Sequence, residues 1–436
     1  MMNHKSRGWT ANHLGILGAA IFLVGWTAGG VAASAQQAPP VARIDLEQAV
    51  QLAIQHNHAL MAAENTILQS EAEETTAAIR PNPVFTYDDL YVPIFSPGQL
   101  NGTTLDNVTE FDLGISYTFE RGHKRQARIN AAKDATAVTR SQVKDIERSL
   151  TFNVAQQFVS VLLAKADLDF ANQDLASFQK TVDLNTSQYQ AGAISEGDLL
   201  KIKLQLLQFQ TDVSAAKLAL VQSRLSLRQM LGFESVPADY DVIGDLAYAP
   251  LHGNQEDLQS LALKLRPDFQ AAQLGVAASQ SQYQLAKANR SRSLTAAFDY
   301  THVADLNNAG FTLNIEIPIY DRNQGEIART RYAITQANEL QAAASQTVMT
   351  DVANAYQTVK VNDQVIQLYT SGYLKQAQDS LDISEYAYKR GAASLLDFLD
   401  AERSYRSTQL AYRQALANYM LAVEQVKEAV GTRELP

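Results

Sequence analysis

The chain has 436 residues, a formal net charge of −10 at neutral pH, 46% hydrophobic residues and 19% charged residues. It is too apolar for a disordered chain and too acidic to favour nucleic acid as a partner. It contains no cysteine, which excludes a disulfide framework, a thiolate metal site and lipid attachment through a cysteine.

At the N-terminus His4, Lys5 and Arg7 precede an apolar run from Leu14 to about Val31, and Ala33-Ser34-Ala35 follows. A positive segment, an apolar core and a small-residue cleavage site mark residues 1–35 as a removed signal peptide, with an uncleaved anchor as the other reading. Removal takes Lys5 and Arg7 away and deepens the charge from −10 to −12. No later apolar run reaches about 18 residues, so no helix of the mature chain is expected to span a membrane. An exported chain of this kind is periplasmic, secreted, or a β-barrel of the outer membrane.

The first half, residues 36–232, reads as a helix, two strands and a long helical hairpin. The strands fall at about 84–95 and 109–119, with turn residues near Gly98–Asn107. In the second strand Phe111, Leu113, Ile115, Tyr117 and Phe119 alternate with Asp112, Gly114, Ser116 and Thr118, the period of a strand with one apolar face. Strict alternation over roughly 9–11 residues suits a tilted membrane strand. Neither Gly nor Pro then occurs between Gly122 and Gly192. A continuous helix over that stretch would be roughly 100 Å long. Val154, Val161, Leu168, Leu175, Val182 and Tyr189 recur every seven residues, the seam of a coiled coil. After Gly192 a second register runs through Leu199, Leu206, Val213, Leu220 and Leu227, so the two helices form an antiparallel hairpin with its tip at 189–198.

Residues 233–255 read as a linker, and residues 256–436 repeat the plan. Strands are expected at about 294–303 and 310–319, joined by a turn around Asn307–Gly310, and the second hairpin has its tip at 388–397. Phe398, Tyr405, Tyr412, Tyr419 and Val426 lie 199 positions after the five residues of the second register. Matching breaks and seams in one order indicate an internal duplication. The fold class is therefore mainly α with a small β part, in two repeats of a strand pair plus a long coiled-coil hairpin. Four strands cannot enclose a lumen, since about eight are needed merely to pack side chains inside. Three protomers pooling their strands would close a barrel of about 12, with no open edge.

The paired tips Tyr189–Asp198 and Tyr388–Asp397, the passage Pro318-Ile-Tyr-Asp321-Arg322-Asn323-Gln324-Gly325, and Arg80-Pro81-Asn82-Pro83 resemble the TolC-like outer-membrane factor family. The resemblance covers roughly 42–432, and the Asp321–Gly325 stretch is most similar to the CzcC-type cation-efflux branch. It implies a homotrimer with a shared 12-stranded barrel in outer-membrane lipid and a helical tunnel, an α-barrel, closed at its periplasmic end. The implied partners are a periplasmic adaptor and an inner-membrane, proton-driven pump. Tyr189, Gly192, Ala193 and Ser195 of the first tip, and Tyr388, Gly391, Ala392 and Ser394 of the second, would dock the adaptor. Asp397 and Asp400, spaced i, i+3 on one helix face, would line the periplasmic constriction in rings that attract cations. Family members often carry a basic latch residue just past the tip glycine, whereas Ala392 and Ala393 stand here and Lys389 and Arg390 precede it.

By alternation Asp112, Thr118, Asn314 and Glu316 would face the lumen, and Phe111, Tyr117 and Phe311 the lipid. No phosphate loop, nucleophile elbow or zinc-protease motif is present, and His56 and His58 do not share a helix face, so neither enzyme, cofactor nor metal site is expected. The expected function is a passive efflux conduit for heavy-metal cations or small toxic compounds. A periplasmic coiled-coil adaptor or scaffold is the alternative.

Overall fold

The computed structural model describes residues 42–435 apart from 93, 100, 108 and 305, so the expected signal peptide lies outside the described residues. The chain enters through β1 (Arg43–Ile44), α1 (Leu46–His56) and α2 (His58–Ala78). Asp45 and Gln48 form a reciprocal capping box that starts α1, and Asn57 caps α2. Strand β2 (Val84–Leu90), the short helix α3 (Gly102–Asn107) and strand β3 (Glu110–Phe119) follow. Helix α4 then runs unbroken from Lys124 to Gln190, 67 residues, and α5 (Glu196–Leu231) returns beside it.

After β4 (Asp241–Val242) come α6 (Gln255–Leu265), α7 (Pro267–Asn289), β5 (Leu294–Val303) and β6 (Leu306–Ile315). Helix α8 (Gln324–Leu368) leads through a π-turn at Tyr369–Tyr373 into α9 (Leu374–Lys389), and α10 (Leu395–Val430) returns. The two returning helices, α5 and α10, are each 36 residues long, begin on Ser195 and Ser394, and end on Gly232 and Gly431. The outgoing helices differ. Gly372 takes φ 140°, a conformation open to glycine, and breaks the second one where α4 is continuous.

Three apolar clusters hold these rods together. Val154, Val161, Leu227 and Leu231 pack with Ala49, Val50, Tyr240 and Val242. Val348, Val352, Ile366, Tyr419 and Val426 pack with Leu258 of α6. Near the tips Phe178, Val182, Ile202, Phe209 and Phe398 form the third cluster. Segment 233–255 is more than a loose linker. Val236 and Tyr240 are buried, and β4 pairs in parallel with β1, Arg43 beside Asp241 and Ile44 beside Val242.

Strands β2, β3, β5 and β6 form one antiparallel sheet in that order, and neither outer edge has a partner among the described residues. Three strand limits differ from the sequence reading. Strand β2 stops at Leu90 because Tyr91 takes φ 61°. Residues Asn307–Gly310 are strand rather than turn, since they pair with Asp299–His302, and the chain reverses at Ala304 with φ 51°. Strand β6 ends at Ile315, where its register against Leu294 runs out, which leaves Ile317, Ile319 and Glu316 beyond it.

Candidate functional site

Both tips are built alike. Gly192 (φ 71°) and Gly391 (φ 74°) reverse the chain, and Ala193 N–H and Ala392 N–H donate back to Gln188 and Ala387 carbonyls at 2.8 Å. A Cβ placed on either glycine meets no described atom within 4 Å, so backbone conformation alone demands glycine there. The next helices start on serine caps. Ser195 Oγ accepts from Asp198 N–H at 3.1 Å and Ser394 Oγ from Asp397 N–H at 3.2 Å. Ala193, Ser195, Ala392 and Ser394 are exposed at the turns, as is Tyr189 at 39%.

Tyr388 behaves otherwise. Its ring stacks on Phe398, 5.4 Å between centroids, and its hydroxyl donates to Asn185 Oδ1 at 2.5 Å. Burial pushes the phenol up, with Asp198 adding to the rise. The residue therefore joins α9 to α4 and does not present its hydroxyl at the surface.

The two acidic residues beyond the second tip also differ from one another. Asp397 belongs to a capping box, its Oδ2 accepting from Ser394 Oγ (2.7 Å) and Ser394 N–H (3.1 Å). These bonds hold its carboxyl below the usual range. Asp400, 71% exposed in its side chain, stands 3.3 Å from Arg403 Nη1. In the first tip Asp198 pairs instead with Lys201 at 3.1 Å. The two tips thus carry different charge.

The sheet sorts its side chains by chemistry. Asp88, Asp112 and Thr301 lie opposite one another, as do Thr118, Thr295 and Asn314 on the same face, and the two threonine hydroxyls meet at 3.0 Å. The other face carries Phe85, Tyr87, Ile115, Phe298, Phe311 and Leu313, each more than half exposed, together with Phe111 and Tyr117. Asp112, Thr118 and Asn314 share the polar face as alternation requires. Glu316 does not share it as a strand residue; past the strand end, it pairs with Arg292 at 3.3 Å. Gly114 allows the polar face to close up, because a Cβ there would lie 2.6 Å from Asp299 Oδ1.

A second surface emerges on α5. Leu200, Leu204, Leu207, Thr211, Ser214, Leu218, Val221 and Leu225 succeed one another at alternating steps of four and three. That is the spacing of a coiled-coil seam. Leu204, Leu207 and Leu218 are more than half exposed. On α10 the positions 199 later include Arg406 and the buried Ala417 and Glu424, and that helix packs on α4. No helix is long and apolar enough to cross a membrane, and no group of three metal-ligating side chains gathers, among the described residues.

The fold is thus a pair of long helical hairpins bearing one amphipathic four-stranded sheet. The chain belongs to the outer membrane efflux protein family, whose model matches residues 49–233 and 258–432. Proteins of this family are efflux channels rather than enzymes. The chain is 22% identical over 390 residues to the cobalt-zinc-cadmium resistance protein CzcC of Cupriavidus metallidurans, covering 89% of this chain and 90% of that protein. It is 28% identical over 349 residues to the cation efflux system protein CusC of Escherichia coli K12, covering 76% and 74%. A crystal structure of CusC superposes with a TM-score of 0.74 at 20% identity over 90% of this chain and 93% of that one.

Proposed function

We propose that three copies of this chain form a passive outer-membrane conduit that carries substrate delivered by an inner-membrane pump and a periplasmic adaptor. The observation that carries this reading is the sheet: four strands, one polar face, one exposed apolar face and two open edges. In lipid an open edge is untenable, because each unpaired backbone group costs several kcal/mol. Edge β2 of one copy closing on edge β6 of the next removes every edge at 12 strands, with Asp112, Thr118 and Asn314 toward a wet lumen and Phe111, Tyr117 and Phe311 toward lipid. The exposed row on α5 supports the same assembly, since on α10 the positions matching Leu207, Leu218 and Leu225 are Arg406, Ala417 and Glu424, which are covered within the chain. We read the matched lengths and caps of α5 and α10 as the trace of an internal duplication, which would let a neighbouring copy cover α5 much as α4 covers α10.

In this reading the tips around Gly192 and Gly391 meet the adaptor, and Asp397 and Asp400 ring the periplasmic constriction. The names of CzcC and CusC favour metal cations as cargo. The decisive experiment is fractionation of the mature protein. Heat-modifiable, SDS-resistant trimers in outer membranes support the conduit, and recovery as a lipid-free periplasmic monomer would refute it. Loss of the gene is expected to sensitise cells to heavy-metal cations, with complementation by the intact chain.

A further inference from the structure

Two turns into α10, four charged side chains from three helices are packed into the interface between the hairpins. Arg406 Nε stands 2.7 Å from Asp174 Oδ2 of α4, and its Nη2 stands 2.5 Å from Asp212 Oδ2 of α5. Glu402, one turn earlier on α10, brings Oε1 to 3.6 Å from Arg406 Nε. The guanidinium lies on the Phe209 ring, 4.3 Å from its centroid, and Phe209 stacks on Phe178. Glu402 is 6% exposed, and its Oε1 is buried with no hydrogen-bond partner among the described residues.

The charge does not balance. Arg406 alone is in ion-pair contact with the three carboxylates, while Arg403 and Arg413 act on Glu402 and Asp174 without such contact. Full ionisation therefore crowds three negative charges around one guanidinium in a partly buried seam. A buried carboxylate in that position retains its proton in preference to standing unpaired. The arrangement is peculiar to the second half, because the positions of Glu402 and Arg406 fall on Lys203 and Leu207 in α5.

We propose that Glu402, with Asp174, Asp212 and Arg406, is a proton-operated clasp between α10 and the α4–α5 hairpin. With Glu402 protonated the four groups hold the helices together; its ionisation adds an uncompensated charge and loosens them.

The surrounding groups set the direction. Burial pushes the Glu402 carboxyl up to about 7, opposed by Arg406 and Arg403 on α10 and assisted by Asp174 of α4 and Asp212 of α5. Burial likewise raises Asp174 against the pull of Arg406. Tyr405 beside them, facing Asp174, Arg413 and Asp382 of α9, is raised by burial and stays neutral across this range. A carboxyl raised above its ordinary value stabilises the packed state fully below that value, and the contribution is lost as pH rises through the folded-state value. The clasp is therefore firm in mild acid and weak in mild alkali.

Because the chain has no cysteine of its own, Gln210→Cys on α5 and Ser404→Cys on α10 place a spin-label pair at two exposed positions near the cluster without removing a side chain that touches it. The readout is a distance within one chain, taken in full-length protein in lipid with labelled copies diluted among unlabelled ones, so it does not depend on transport. The distance is expected to be short and narrowly distributed at about pH 5 and longer and broader at about pH 8, with its midpoint near neutrality. In a Glu402→Gln background, uncharged at every pH, it is expected to stay short and narrow throughout. An unchanging distance without the Glu402 substitution, or a Glu402→Gln protein that responds like its parent, overturns the proposal.

Discussion

The hydroxyl of Tyr388 lies 2.5 Å from Oδ1 of Asn185, a residue 203 positions earlier that is wholly buried in α4. The amide of Asn185 is spent on the Thr181 carbonyl at 2.7 Å, so its oxygen depends on the tyrosine. One hydrogen bond thus couples the ends of both hairpins. Tyr388→Phe leaves a buried acceptor unsatisfied, a cost of about 1–3 kcal/mol. Hydrogen exchange at 181–190 and 386–392 is expected to quicken by roughly ten-fold or more, while exchange around Val154 and Val352 stays as before.

The tip glycines separate folding from docking. With open space around each Cβ position, Gly192→Val and Gly391→Val meet only backbone strain, on the order of 1–2 kcal/mol. Trimers are expected to persist on SDS gels while complementation of efflux is lost. Normal efflux from both variants would remove the tips from the adaptor contact.

Asp397→Asn and Asp400→Asn together are expected to lower cation over anion selectivity in planar-bilayer recordings, since rings of carboxylate attract cations. The two residues differ in the second readout. Asp397→Asn also weakens the cap on Ser394 and frays the first turn of α10, whereas Asp400→Asn, on an exposed side chain, leaves that turn intact. Unchanged selectivity in the double variant counts against the constriction.

Gly114 tests the polar face of the sheet. Gly114→Val drives a side chain into Asp299, so the heat-modifiable folded band is expected to weaken sharply. Adding Asp299→Ala should restore it, because the clash is with that one carboxylate. Failure of the second change to rescue would place the fault elsewhere in β3.

Along α5, Leu204→Glu with Leu218→Glu puts charge into the exposed row without touching the core of the chain. Helix content by circular dichroism is expected to hold while SDS-resistant trimers disappear. Trimers that survive both substitutions would show that this row faces solvent.

Much of the architecture is visible in periodicity. The run without Gly or Pro became α4, the seven-residue steps fell on buried Val154, Val161 and Val182, and alternation placed Asp112, Thr118 and Asn314 on one face. Strand ends were less legible. Asn307–Gly310 carries turn-forming residues, yet pairing along the whole of β5 draws it into a strand. Tyr388 carries the same doublet of tip position and aromatic ring as Tyr189, and nothing local distinguishes the one whose hydroxyl finds Asn185. Arg406, Asp174 and Asp212 are equally hidden, being far apart in sequence and joined only where three helices meet. Gly372 is legible by contrast, an isolated glycine within a helical run that marks the break before α9.

Glu47, at the start of α1, meets Arg433 near the other end of the chain, 3.3 Å apart, and β1 completes its pairing only with Asp241–Val242. Helix α1 and strand β1 therefore stay uncovered until the chain has been made as far as Asp241–Val242, and the Glu47–Arg433 pair forms later still. Contacts of such long sequence separation make for slow folding and prolonged exposure of sticky surfaces. A protein wired in this way is expected to need protection from aggregation while it folds, and brief shortage of holdase chaperones should lower its yield well before that of proteins with locally wired folds.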